Sequence, residues 1–152
     1  LQSIEWTNEY EIGISVIDRQ HQRIVEYINA LVELKESGQN DQIAELLNAL
    51  VDYTYSHFAF EEALMEEAGY EHLNIHQRTH HAFTSRIEDF HRRFKEGENI
   101  AEEMGEMLQT WLLNHIMEDD RSYSALVKEK LTAIEQLESG NWLRKTLRRF
   151  FN

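Results

Sequence analysis

Two short sequence patterns place metal-binding side chains one helical turn apart. His57 and Glu61 are four residues apart, and His76 and His80 repeat that spacing on the far side of Gly69. Residues four apart lie on one face of an α-helix, so each pair can reach one metal ion or two adjacent ions. Imidazole nitrogen with carboxylate oxygen suits iron, zinc or copper better than calcium or magnesium. If both segments are helical, the patterns predict a metal site.

Two further histidines, His21 and His115, fall on the apolar stripes of their own segments. A single histidine on an apolar face is ordinarily a hydrogen-bonded core residue. Five imidazoles and a carboxylate in one small core are harder to explain, because each costs roughly several kcal/mol when it is buried without a partner. Metal coordination satisfies all of them together.

The segments that carry these residues have the pattern of amphipathic helices. Apolar residues recur at spacings of three and four, Asp18 can cap the first helix, and glycine follows the first three. The chain has no proline. We therefore predict an all-α fold, an up-down-up-down antiparallel four-helix bundle with an N-terminal arm and a short C-terminal amphipathic helix. The predicted helices span about 18–37, 41–69, 71–97 and 99–115, the last continuing over 119–131.

Composition and charge narrow the class of protein. The chain has 152 residues, a formal net charge of −13 and no cysteine. Its acidity disfavours a nucleic-acid partner, and the missing cysteines exclude disulfides and thiol catalysis. No apolar run is long enough to span a bilayer, and the N-terminus does not have the pattern of a signal peptide, so we expect a cytoplasmic location. We divide the chain into a bundle domain, 1–131, and an extension, 132–152.

The stretch HIMEDDRSY, residues 115–123, completes an ordered pattern. A lone histidine is followed by HxxxE, HxxxH and HxxxxD, and in this order the chain resembles a hemerythrin, in particular a bacterial single-domain hemerythrin. The resemblance covers residues 4 to 127. His115 and Asp120 are about 140° apart on a straight helix, so Asp119 is the better ligand by geometry alone, whereas the resemblance favours Asp120 and implies a bend or loosened turn. The metal ligands that it implies are His21, His57, Glu61, His76, His80, His115 and Asp120.

The resemblance also implies a cofactor and a function. It implies two iron ions per chain joined by an oxo or hydroxo bridge and by the carboxylates of Glu61 and Asp120, with one coordination position open for O2. Three histidines hold one ion, and His21 and His57 hold the other. The expected function is reversible O2 binding for transport, storage or delivery; the alternative is an O2 or redox sensor that signals through the C-terminal helix. The residues expected around O2 are Ile24, Phe58, Trp111 and Leu112.

We do not expect an enzyme. Oxygen-activating carboxylate-rich proteins use Glu-x-x-His twice, together with two further glutamates, and this chain has one copy, at Glu88 and His91. The segment 141–152 carries a charge of +4 and separates apolar from basic residues on a helix. We expect its apolar side to dock on the bundle or on a second subunit. A membrane surface or a partner protein is the alternative.

Overall fold

The computed structural model of the chain is helical. It describes residues 3–37, 40–116, 121–138 and 141–151, and of residues 40, 131–138 and 141 it describes the backbone alone. Within these ranges there is no β-strand. The elements are a 3-10 helix at Asn8–Tyr10, α1 at Ser15–Ser37, α2 at Asn40–Ala68, α3 at Leu73–Lys95, α4 at Ala101–Asn114, α5 at Arg121–Glu138 and α6 at Asn141–Phe151.

Helices α1 to α5 form the predicted four-helix bundle, in which α4 and α5 share the place of the fourth helix. Gly69 and Gly97 follow α2 and α3 with φ values of +73° and +94°. Glycine adopts this left-handed conformation without steric cost, so each helix ends at a defined residue. Short connections make successive helices antiparallel neighbours. The all-α prediction is confirmed.

The N-terminal arm is tied to the bundle by Asp18. This residue lies inside the first turn of α1 and not at its cap, so the predicted cap is wrong. Its carboxylate accepts backbone N–H groups from Ile12 at 2.9 Å and Gly13 at 3.1 Å. The buried side chains of Ile12 and Ile14 then join the core. A capping residue would accept hydrogen bonds from the free backbone N–H groups of α1 itself, whereas Asp18 accepts them from the segment before the helix.

Helix α6 lies against α2 and α5. The ring of Phe151 is 5.3 Å from that of Tyr53 and 5.9 Å from that of Phe60, centroid to centroid. The helix therefore docks its apolar side on its own bundle, as its pattern predicts. The division of the chain after residue 131 falls within α5 and stays a prediction. The apolar residues of α6 that pack on the core are Trp142, Leu143, Leu147, Phe150 and Phe151.

Among the described helices, none combines the length and the apolar composition that crossing a bilayer would require.

Candidate metal centre

Side chains from four helical segments converge inside the bundle. One comes from α1, two from α2, two from α3 and one from the residue that follows α4. Each of them is at most 5% exposed. These six residues are His21, His57, Glu61, His76, His80 and His115.

The carboxylate of Glu61 lies at the middle of this cluster. Its Oε1 faces three imidazoles, and its Oε2 faces the other two. The Nε2 atoms around Oε1 belong to His76 at 2.7 Å, His80 at 3.0 Å and His115 at 3.4 Å. Those around Oε2 belong to His57 at 3.3 Å and His21 at 4.0 Å.

The donor atoms divide into two groups that share one residue. In one group Glu61 joins three histidines, and in the other it joins His21 and His57; within each group the donor atoms all lie within 4.8 Å of one another. Nitrogen and carboxylate oxygen at this spacing fit first-row transition metals. The arrangement can therefore hold two metal ions joined by one carboxylate.

The protonation state of Glu61 suits a metal ligand. Burial by itself raises the pKa of the carboxyl, but contacts with His115, His57 and His76 outweigh burial and hold the pKa well below its usual range. The charged form is the one that coordinates metals. Its Oε2 is buried and accepts no hydrogen bond of good geometry from the described residues. A buried charged oxygen in that state fits the role of a metal ligand.

One of the histidines is supported from behind by a residue that the sequence reasoning missed. The Nδ1 of His57 donates to Oε1 of Gln20 at 2.7 Å. Such a partner orients the imidazole and fixes which nitrogen faces a metal. The Nδ1 of His80 lies 3.4 Å from Oε2 of Glu62 but makes no hydrogen bond among the described residues. The available signal for Gln20 was a polar residue between Ile17 and His21, on the buried side of α1.

A narrow apolar cavity adjoins the cluster. Its volume is about 10 Å³. Phe58 stacks on His80 with centroids 3.9 Å apart, and Trp111 stacks on His115 at 4.4 Å. All four residues expected around O2 line it: Ile24, Phe58, Trp111 and Leu112, together with Thr54, Phe83 and Leu108.

Asp120, the acidic ligand that the resemblance implies, and Asp119, the alternative by helical geometry, lie outside the described residues. The backbone at 115–116 takes the wider turn of a π-helix. In a π-helix the hydrogen bonds join residues five apart, and such turns are frequent at functional sites. The rest of the segment from His115 to Asp120 lies outside the described part of the chain, so the loosened turn that the resemblance implies stays a prediction.

The other histidines lie outside the cluster. The side chain of His72 is 57% exposed, and His81 is exposed. The Nε2 of His91 is 2.9 Å from the side-chain oxygen of Asn48. None of the three belongs to either donor group formed by the described residues.

Comparisons with known proteins agree with this geometry. A family model described as "Hemerythrin HHE cation binding domain" matches residues 12–127. The chain is 46% identical over 147 residues to the bacteriohemerythrin of Stenotrophomonas maltophilia (strain R551-3), covering 96% of each chain. It is 28% identical over 119 residues to the myohemerythrin of Theromyzon tessulatum, covering 78% of this chain and 89% of that one. A crystal structure of wild-type hemerythrin matches with a TM-score of 0.79 and 27% identity, covering 83% of this chain and 98% of the other.

Proposed function

The chain belongs to the hemerythrin family, and on that premise we propose that it binds dioxygen reversibly at a non-haem centre of two iron ions. The binding would serve transport, storage or delivery of O2. The observation that carries this proposal is the pair of donor groups that share Glu61. One carboxylate between two sets of imidazoles is the ligand arrangement that a bridged pair of ions needs.

The ligand set supports one open coordination position. Two octahedral ions together have one coordination position more than the proposed ligands fill. Those ligands are five histidines, two bridging carboxylates and one oxo or hydroxo bridge. Glu61 supplies one carboxylate, and we assign the other to Asp120. We place the open position on the ion held by His21 and His57, because that group has fewer imidazoles. The two iron ions, held by the two donor groups, would each supply one electron when O2 binds and recover it when O2 leaves.

The chain's own contribution is a dry and narrow approach to the metals. The cavity beside the histidines is lined by apolar and aromatic side chains apart from Thr54. The hydroxyl of Thr54 donates to the carbonyl of Leu50 at 2.8 Å, so its proton is already engaged. Such a lining keeps water and proton donors away from bound O2, which favours its release unchanged. We therefore propose binding without turnover.

The sensing alternative rests on no specific observation of the described residues and stays a prediction, as does the cytoplasmic location. Proteins named bacteriohemerythrin and myohemerythrin are similar to this chain, and these names support oxygen binding.

An anaerobic O2 titration of iron-reconstituted protein tests the proposal. We expect two irons per chain and a visible charge-transfer band that forms with O2 and fades on its removal. His76→Ala should lose iron and most of the band. His72→Ala, one turn earlier and exposed, is the matched control and should behave as the unaltered chain. Colourless protein without iron, or full O2 uptake by His76→Ala, would contradict the proposal.

We also propose an anionic partner for the outer face of α6. The apolar side of this helix is already packed on the bundle, so a membrane surface, a partner protein or a second copy would be held by charge alone. The exposed cations of this face are Arg144, Lys145, Arg148 and Arg149.

Sedimentation with anionic liposomes and analytical ultracentrifugation at low salt test this partner. Replacing Arg144 and Arg148 by Glu cancels the positive charge of this face and should abolish association in whichever assay detects it. Low salt is used because dissolved ions screen interactions between surface charges. No association in either assay for the unaltered chain would rule out the membrane surface and the second copy.

A further inference from the structure

The side chain of Gln20 is buried beside the metal centre and makes a single hydrogen bond to it. It is 4% exposed, lies on α1, and reaches across to α2, where its Oε1 is 2.7 Å from Nδ1 of His57. Its Nε2 is buried and has no hydrogen-bond partner among the described residues. Leaving a buried amide donor unsatisfied costs about 1–3 kcal/mol. An apolar residue at this position would avoid that cost. The hydrogen bond to His57 therefore explains why the residue here is polar.

This hydrogen bond fixes the protonation of His57. A carbonyl oxygen only accepts, so Nδ1 must carry the proton and Nε2 of the neutral ring must be the unprotonated nitrogen. That nitrogen belongs to the donor group formed with His21 and Glu61. The opposite orientation of the amide would donate to Nδ1 and leave the proton on Nε2, which could not then bind a metal. The donor geometry therefore selects the orientation with the oxygen toward His57.

From this contact we propose that Gln20 is a positioning residue for the metal position held by His21 and His57. It fixes the tautomer and the ring orientation of His57. The inference rests on the proposed function for the identity of the metal. Its test depends only on the presence of two metal positions.

The test is an anaerobic titration with Co(II) alone, followed by visible spectroscopy. Gln20→Met has a side chain of similar length without an acceptor, and Gln22→Met, two residues along the same helix, is the matched control. Loss of a supporting partner should weaken one of the two Co(II) positions about 10–100-fold and leave the other unchanged. Gln20→Glu keeps an acceptor and should restore binding at that position to within about tenfold of the unaltered chain.

A role in stability alone would give a different result. A destabilised bundle weakens both Co(II) positions together, so equal losses at both, or none, would overturn the proposal. Gln20→Glu binding as weakly as Gln20→Met would overturn it as well. If Co(II) binds as expected but no O2 band forms in the unaltered chain, the proposed function fails while the role of Gln20 stands.

Discussion

Replacing Ile24 by alanine should open the cavity to water. The structure sets limits on how much free energy of unfolding this change costs. Ile24 is 2% exposed and lines a cavity of about 10 Å³. A single water needs roughly 10–15 Å³ of such space, so the intact cavity has room for one small molecule at most. Losing three side-chain carbons at about 0.8 kcal/mol each lowers the free energy of unfolding by about 2.4 kcal/mol. The loss approaches about 5 kcal/mol if the enlarged cavity stays open.

The functional effect of this change is measured as the rate at which the O2-dependent visible band is lost by autoxidation. Admitted water can protonate and displace reduced oxygen, and a barrier lower by about 1.4 kcal/mol makes the reaction about tenfold faster. We expect at least that change for Ile24→Ala. Ile24→Val removes one carbon, should cost about 0.5–1.5 kcal/mol in stability, and should give an intermediate rate.

Ile28 is the matched control for this series. It is fully buried, lies one turn further along α1, and does not line the cavity. Ile28→Ala should lower the free energy of unfolding by about 2–5 kcal/mol, measured by urea denaturation, and leave autoxidation unchanged. If both alanine variants accelerate autoxidation equally, or if Ile24→Ala leaves it unaltered, the assignment of this cavity to O2 is refuted.

Three further predictions concern charge and metal content. Glu61→Ala should lose iron from both positions, since that carboxylate belongs to both donor groups; metal analysis that finds two irons per chain would contradict the shared role. Removing iron should lower the urea midpoint, because an ion that binds only the folded chain stabilises it by about 2.7 kcal/mol at a free concentration 100 times its Kd; equal midpoints with and without Fe(II) would argue against a metal in this core. Burial raises the pKa of Tyr53 to about 12, whereas an unfolded tyrosine ionises near about 10. Stability should therefore fall as pH rises from 10 to 12, and urea midpoints should fall less steeply for Tyr53→Phe.

The donor cluster could be predicted because its information is local. His57 with Glu61, and His76 with His80, need only the periodicity of a helix to share a face. The apolar stripes on either side state which face is buried, and the bundle follows from burying four such stripes together. In the structure, five histidines and Glu61 form two donor groups, and within each group the donor atoms lie within 4.8 Å of one another.

The supporting residues could not be predicted, because they depend on packing between helices. Gln20 meets His57 across 37 positions of sequence, and no spacing rule connects them. Asp18 shows the opposite error. Its position before an apolar stripe matches a cap, yet its carboxylate turns back to Ile12 and Gly13. For α6 the pattern predicted an apolar face, but only packing identified Tyr53 and Phe60 as its neighbours.

The complete enclosure of Glu61, His21 and His57, each 0% exposed, has a kinetic consequence. An ion can reach or leave these donors only while the helices around them separate, so exchange is limited by the frequency of local opening and not by affinity. A strong chelator should therefore strip the protein at a rate that stops rising with chelator concentration. The closed bundle would therefore keep its metal even when little free metal is present in solution.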